Sequence, residues 1–224
     1  MFGIDNVIFS IAGQGVSLIE LLSVICGLLC VFLAVKGKVA NFWVGYLYNI
    51  LLFFMFLQKH LYSSMLIQPI SLGINFFGHY RWTHPKQFEK DKKDQLKITL
   101  LSGKQRLAIA CIIALFTGVW GFILSRLHIM WADVFPMARQ PYLDAFVTSF
   151  ILLAQYLSAQ KKLDCWGAWT VVNVMNTVLY LKAGLVFMPL VCIGYLILAF
   201  FGFTMWFRQW KEENAAGSDN YNNA

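Results

Sequence analysis

Seven strongly apolar stretches divide this 224-residue chain, at about residues 18–35, 39–57, 61–82, 106–127, 142–159, 163–181 and 186–208. Wound as a helix at 1.5 Å per residue, each is long enough to cross a hydrocarbon layer roughly 30 Å thick. Lipid offers no water to a polar backbone, so stretches of this length must be helices, and the chain is expected to be an all-α integral membrane protein with seven transmembrane helices. Hydrophobic residues make up 59% of the chain and charged residues 13%, about half the charged share of an ordinary soluble domain. Asn49, Gln68, Asn75, Gln155, Asn173 and Asn176 nevertheless fall inside the stretches. An unpaired amide there is costly, so each needs a partner on another helix or on a ligand.

The net charge of +7 could suggest nucleic acid, but its distribution excludes that class. Arg81, Lys86, Lys90, Lys92, Lys93, Lys97, Lys104 and Arg106 crowd one interval between the third and fourth stretches, mixed with Glu89, Asp91 and Asp94. This is the pattern of a cytoplasmic loop of a membrane protein. With that loop inside, Lys36, Lys38, Lys161, Lys162, Arg208 and Lys211 fall on the same side, giving 14 basic residues against Lys59, Arg126, Arg139 and Lys182 outside. The expected orientation is N-terminus outside and C-terminus inside.

The stretches group as three, one and three. Residues 18–82 form the first closely spaced triplet, 83–105 the charged loop, 106–127 an isolated span and 142–208 the second triplet. Both triplets start outside and finish inside, so they are expected to be parallel three-helix repeats joined by an inverting fourth helix, a 3+1+3 arrangement. NFWVGYLYN in the second span and DCWGAWTVVN in the sixth agree: Trp43 and Tyr46 precede Asn49 as Trp166 and Trp169 precede Asn173. Residues 1–17 carry Asp5 but no Lys or Arg, and are expected to be an external or interfacial segment rather than a cleaved leader. Residues 209–224 are expected to be a cytoplasmic tail, polar and irregular from about Asn214.

The sixth span is the best functional candidate. Trp166, Trp169, Asn173, Asn176 and Tyr180 follow spacings of 3, 4, 3 and 4, which line them along one helix face. An indole and two amides at mid-membrane can stack on an aromatic ring and read its polar substituents, although an ordinary interhelical seam also uses asparagines this way. Gln68, Ser71 and Asn75 in the third span, and Tyr46, Asn49 and Phe53 in the second, repeat the rhythm. Asp144 and Gln155 share nearly one face of the fifth span; Asp144, near its outer end, either starts the helix or attracts a cationic solute, and Glu20 has the same two readings. Tyr80, Arg81 and Trp82 close the first triplet and Trp206, Phe207, Arg208 and Trp210 the second, as interfacial anchors do.

Nothing in the chain matches an enzyme or nucleotide-loop motif, and His60, His79, His84 and His128 form no metal-ligand pattern, so neither a cofactor nor a metal is expected. The five cysteines fall within the spans at spacings that suggest no disulfide framework. A solute carrier and a membrane assembly protein remain the two classes.

SLIE at 17–20 followed by GLLCVFLA, NFWVGYLYN at 41–49, QKHLYSSMLIQ at 58–68, NFFGHYRW at 75–82, QYLSAQKKLDCWGAWTVVN at 155–173 and LYLKAGL at 179–185 occur in the order and spacing of one family. The chain resembles the PnuC-type vitamin transporters along nearly its full length, departing at Leu18, where relatives often carry tryptophan. The resemblance implies a fold similar to the SWEET sugar carriers, a homotrimer in the bacterial inner membrane, and facilitated diffusion of nicotinamide riboside, which a cytoplasmic nicotinamide riboside kinase then traps. Thiamine or a nucleoside is the alternative substrate within the family. It also implies a ligand at Trp169 and Asn173, with polar positions of the second, third and fifth spans around it. A pyridinium suits aromatic faces, and its carboxamide and ribose suit amides. The sequence shows no buried Lys or Arg for a terminal phosphate, so the mononucleotide is expected to be rejected.

Overall fold

The computed structural model describes residues 7–11, 13–58, 62–91, 93–130, 140–182 and 186–222. Lys59, Lys92, Arg139 and the Ala183–Leu185 part of the LYLKAGL turn lie outside them. Among the described residues there are seven α-helices: α1 Leu18–Val35, α2 Ala40–Gln58, α3 Tyr62–Thr83, α4 Gly103–Met130, α5 Pro141–Ala159, α6 Cys165–Lys182 and α7 Phe187–Asn222. α1, α2, α4, α5 and α7 are long and apolar enough to span a membrane. α3 and α6 have 22 and 18 residues, but carry Gln68, Asn75, Asn173 and Asn176 in their interiors. The chain is a multi-pass membrane protein.

Helix contacts run in a circuit: α1 packs on α2 and α7, α2 on α3, α3 on α5, α5 on α6, and α6 on α7. α4 stands outside it, packed on α5. The two sides of each circuit helix differ as the spacing requires. On α6, Val171, Val174, Val178 and Leu181 are exposed, whereas Trp166, Val172 and Asn173 are buried. On α3, Gln68 and Ser71 are buried and Leu66, Ile70 and Phe76 exposed. Apolar side chains facing outward match a lipid solvent.

Before α1 the chain forms a hairpin, β1 Val7–Ile11 against β2 Gln14–Ser17, with Gly13 in the left-handed region at φ 79°. Ser17 then caps α1: the Glu20 N–H donates to Ser17 Oγ at 3.4 Å, and the Ser17 N–H donates back to Glu20 Oε2 at 2.9 Å. This reciprocal cap gives buried Glu20 its helix-start role. At the other terminus the polar segment beyond Asn214 continues α7 to Asn222, where an irregular tail was expected. Ala215 and Ala216 follow Glu212 and Glu213, and all four are strong helix formers.

The densest packing lies at the end of the circuit that carries the 84–102 loop. Val35, Phe42, Trp82, Leu157, Leu163, Cys165, Trp166 and Trp206 form one buried cluster there with Leu96 and Ile98 of the loop. Trp206 is 0% exposed and its indole N–H donates to the Val35 carbonyl at 3.1 Å. The Trp82 N–H donates to the Ser158 carbonyl at 3.2 Å. Trp82 and Trp206, expected as interfacial anchors, are thus core residues; a membrane interface and a packed hub both favour a large ring with one donor. Trp166 packs edge-on to Trp206 at 5.3 Å, and its six-membered ring occupies the space where a side chain on Gly202 would stand.

The charged loop is built into this hub. The Leu163 N–H donates to the Thr99 carbonyl at 2.9 Å, and the Leu101 N–H to Asp164 Oδ2 at 2.9 Å. Arg81 forks onto Glu89 with two bonds of 2.9 Å, and the guanidinium holds the Glu89 carboxyl down at about 2. Lys161, in the turn between α5 and α6, is only 4% exposed and lies over the Trp82 ring at 5.4 Å. Burial pushes its ammonium below the ordinary lysine range, and Asp91 and Glu213 oppose that shift. The sequence shows no such buried cation; the turn's backbone, with Lys161 at φ 51°, aims the side chain inward.

Candidate functional site

One to two turns above the hub lies a layer of amides. Asn49 is nine residues from the loop-end terminus of α2, and Asn75 and Asn173 are eight from those of α3 and α6. At 1.5 Å per residue all three stand at about the same depth, roughly 12–14 Å in. Asn49 and Asn173 are 7% and 6% exposed. Each donates from Nδ2 to the carbonyl four residues earlier, Asn49 to Gly45 at 2.9 Å and Asn173 to Trp169 at 2.8 Å. Such a bond satisfies one donor and uses none of the amide oxygen's capacity. The Asn75 amide occupies the space where a side chain on Gly45 would stand, so α2 and α3 meet closely at this level.

The stripe on α6 faces the packed interior: Trp166 is in the hub, Trp169 rests half-buried against it, Asn173 is buried, and Asn176 and Tyr180 are half-buried. Thr177 Oγ1 donates to the Asn173 carbonyl at 2.7 Å. Gln68 is buried on α3. Gln155, on the last turns of α5, has a buried Oε1 with no hydrogen-bond partner among the described residues. That orphan acceptor is a polar group awaiting a donor. Asp144 is exposed in the first turn of α5, at the end opposite the hub.

Tyr46 takes a different course. Its hydroxyl hydrogen-bonds His79 Nδ1 at 2.8 Å, and its ring stacks on Phe76 at 4.6 Å and meets Trp43 at 5.7 Å. Trp43 and Phe76 are exposed at 64% and 56%, which places Tyr46 in the α2–α3 seam beside the lipid-facing surface. Two residues on, Tyr48 points the other way: its hydroxyl hydrogen-bonds that of Tyr195 on α7, close to Gly27 on α1. Tyr180 and Cys192 adjoin this pair. Tyr48 and Tyr195 escape sequence reasoning because neither belongs to an amide-bearing stripe. The available signal is that Tyr48 lies within one residue of Asn49 and three of Gly45.

A separate cavity of about 790 Å³ lies between α4 and the faces of α5, α6 and α7, lined by Ile109, Phe150, Val171 and Phe203 among others. It does not include the amide layer.

The sequence profile of the family described as Nicotinamide mononucleotide transporter matches residues 17–208. The Nicotinamide riboside transporter PnuC of Escherichia coli is 28% identical over 233 aligned positions, covering 96% of this chain and 97% of that protein. The Riboflavin/roseoflavin transporter RibM of Streptomyces davaonensis is 22% identical, covering 85% and 84%. In fold, the chain matches a crystal structure of the Vitamin B3 transporter PnuC with a TM-score of 0.65 at 22% identity, over 86% of this chain and 81% of that one. With a profile match reaching from the cap of α1 to the basic end of the last span, the chain belongs to the nicotinamide mononucleotide transporter family.

Proposed function

We propose that this protein carries nicotinamide riboside across the bacterial inner membrane by facilitated diffusion, the substrate being trapped by a cytoplasmic nicotinamide riboside kinase. The observation that carries the reading is the inward stripe of α6, with Trp169 one turn from Asn173 and the amides of α2 and α3 at the same depth. It is supported by a relative of that printed activity over 96% of the chain. Trp169 supplies a ring face for the pyridinium, worth about 1–2 kcal/mol when desolvated. Asn173, Asn176, Asn49, Asn75, Gln68 and Gln155 supply acceptors and donors for the carboxamide and ribose. Tyr46 borders this set through the α2–α3 seam. Asp144 draws the cation in from the outer side.

The helices act as two parallel repeats, α1–α3 and α5–α7, joined by α4 in a SWEET-like arrangement. The circuit of contacts supports this, since exchanging α1, α2 and α3 for α5, α6 and α7 leaves it unchanged. The hub and the 84–102 loop lie on the cytoplasmic side, where the basic excess falls, and the protein works as a homotrimer with one pathway per protomer. Lys161, the buried cation, stands in the hub and below the amide layer, so the layer itself offers nothing to a terminal phosphate and the mononucleotide is rejected.

Uptake into proteoliposomes tests the reading. Selective entry of nicotinamide riboside that stops at equal concentrations supports it, and accumulation driven by a proton or sodium gradient overturns the uncoupled mechanism. Preferred entry of thiamine, a nucleoside or riboflavin reassigns the substrate, the last being the activity in the name of one relative. Absence of both binding and transport leaves a membrane assembly protein.

A further inference from the structure

The cavity outside the helix circuit has the layout of a phospholipid. α4 meets α5 closely toward its far end, where the Tyr142 ring fills the space beside Gly121. Toward the loop end a crevice opens between α4 and the faces of α6 and α7, with a volume of about 790 Å³. Its mouth is polar. Arg106, in the first turn of α4, donates from Nε to Asp164 Oδ1 at 3.1 Å and pairs through Nη2 at 2.9 Å, while its side chain stays 58% exposed. Two of the five guanidinium donors are so engaged, which leaves three for a further acceptor. Just inside, Trp166 lines the crevice, and its indole N–H is buried, 3% exposed as a residue, with no hydrogen-bond partner among the described residues. Deeper in, the walls are Ile109, Ile113, Phe150, Leu196, Phe200 and Phe203.

From mouth to depth the crevice therefore offers a guanidinium, one unpaired indole donor, and then hydrocarbon. We propose that it binds one anionic diacyl phospholipid per chain, with the phosphate at Arg106, an ester carbonyl at the Trp166 N–H and an acyl chain along the α4–α6–α7 walls. Both ends suit this occupant. Only 11% of the apolar α4 window is buried, so most of its residues are at least partly open to a hydrocarbon chain, and a charge-assisted phosphate contact at a membrane interface is favourable. An ordinary buried indole finds an acceptor within the protein, as Trp82 and Trp206 do.

Native mass spectrometry of the delipidated full chain, titrated with phosphatidylglycerol and phosphatidylcholine, tests the site. The parent should take up one phosphatidylglycerol about tenfold more tightly than phosphatidylcholine. Arg106→Gln should abolish that preference. Gly167→Leu should remove binding of both, because Gly167 lines the crevice and a Cβ there meets no other atom within 4 Å, so the side chain extends into the crevice. An unchanged thermal midpoint in Gly167→Leu separates lost lipid from lost fold, and Trp166→Phe, which keeps an aromatic ring and deletes the donor, should weaken both lipids alike. Equal affinity for the two lipids in the parent, or undiminished binding in Gly167→Leu, overturns the proposal. Should Gly167→Leu change the oligomer mass while lipid uptake persists, the crevice is a contact between copies of the chain and the lipid assignment is wrong.

Discussion

The aromatic hub and the amide layer lie about 6–12 Å apart along the same helices, yet they are held together by opposite means. In the hub, two of the three buried indoles are satisfied across helices: Trp206 of α7 bonds α1 and Trp82 of α3 bonds the end of α5. In the amide layer, Asn49 and Asn173 bond, among the described residues, only the backbone of their own helix. Cross-helix bonds fix neighbours relative to one another, whereas bonds within a helix leave its position against the others undetermined. The loop end is therefore a floor joined through its indoles, whereas the two asparagines above it are each mounted on a single helix.

The sharpest way to break this contrast is Trp206→Ala. It removes a fully buried indole and a hydrogen bond between α7 and α1, at a cost of about 3–5 kcal/mol. Thermal unfolding in detergent should show the largest loss of stability among these variants, and a shift no greater than that of Trp169→Ala would show that the hub is not the floor. Trp169→Ala should do the reverse. Its half-buried ring contributes less packing, but ligand titrations on folded protein should show about 5–30-fold weaker binding. Asn173→Leu keeps the volume and removes the amide; unchanged affinity would reassign the stripe to ordinary helix packing.

Gln155 sharpens the comparison through its sign. Replacing a buried group whose acceptor is unsatisfied with an apolar side chain of similar size is neutral or stabilising. Gln155→Leu should therefore hold or raise the thermal midpoint while weakening substrate binding, and a fall in both would show that the side chain serves packing. Asp144→Asn should have a smaller effect, slowing entry or weakening binding while equilibrating transport persists; substrate-linked proton movement lost in this variant would make Asp144 a coupling residue instead.

The smallest effect concerns the pair that clips the loop to α3. Arg81 holds the Glu89 carboxyl at about 2, below its ordinary value. A depressed carboxylate stabilises the fold above the unfolded value and loses that contribution as pH falls through the folded one. Thermal midpoints should thus carry a Glu89-dependent decline between about pH 4.5 and 2, absent in Glu89→Gln.

Periodicity made the helices and their inward faces legible. Gln68 and Ser71 lie on the buried face of α3, and Asn173 on that of α6, as spacings of 3 and 4 require. What the spacing could not carry was pairing across the chain. Trp206 meets Val35 from 171 positions away, and a tryptophan followed by a basic residue at the end of a span reads the same whether it turns to lipid or to a neighbour. The loop hid its role similarly: Leu96 and Ile98 sit among charges, and only docking against the α5–α6 turn shows that they are core. Tyr46 and Tyr48 illustrate the same limit locally, since two residues on one helix reach different seams.

The bonds from Asn49 and Asn173 to their own helices have a consequence for selectivity during motion. An asparagine tied to the carbonyl one turn back has few orientations left, so its amide is carried as a fixed fitting when the helix tilts or slides. Under the proposed function, release to either side would require movement of α2 and α6 but no break in either amide's bond to its backbone, and no rotamer would need resetting before the next cycle. The proposed recognition surface would then be restored by the return of the helices alone.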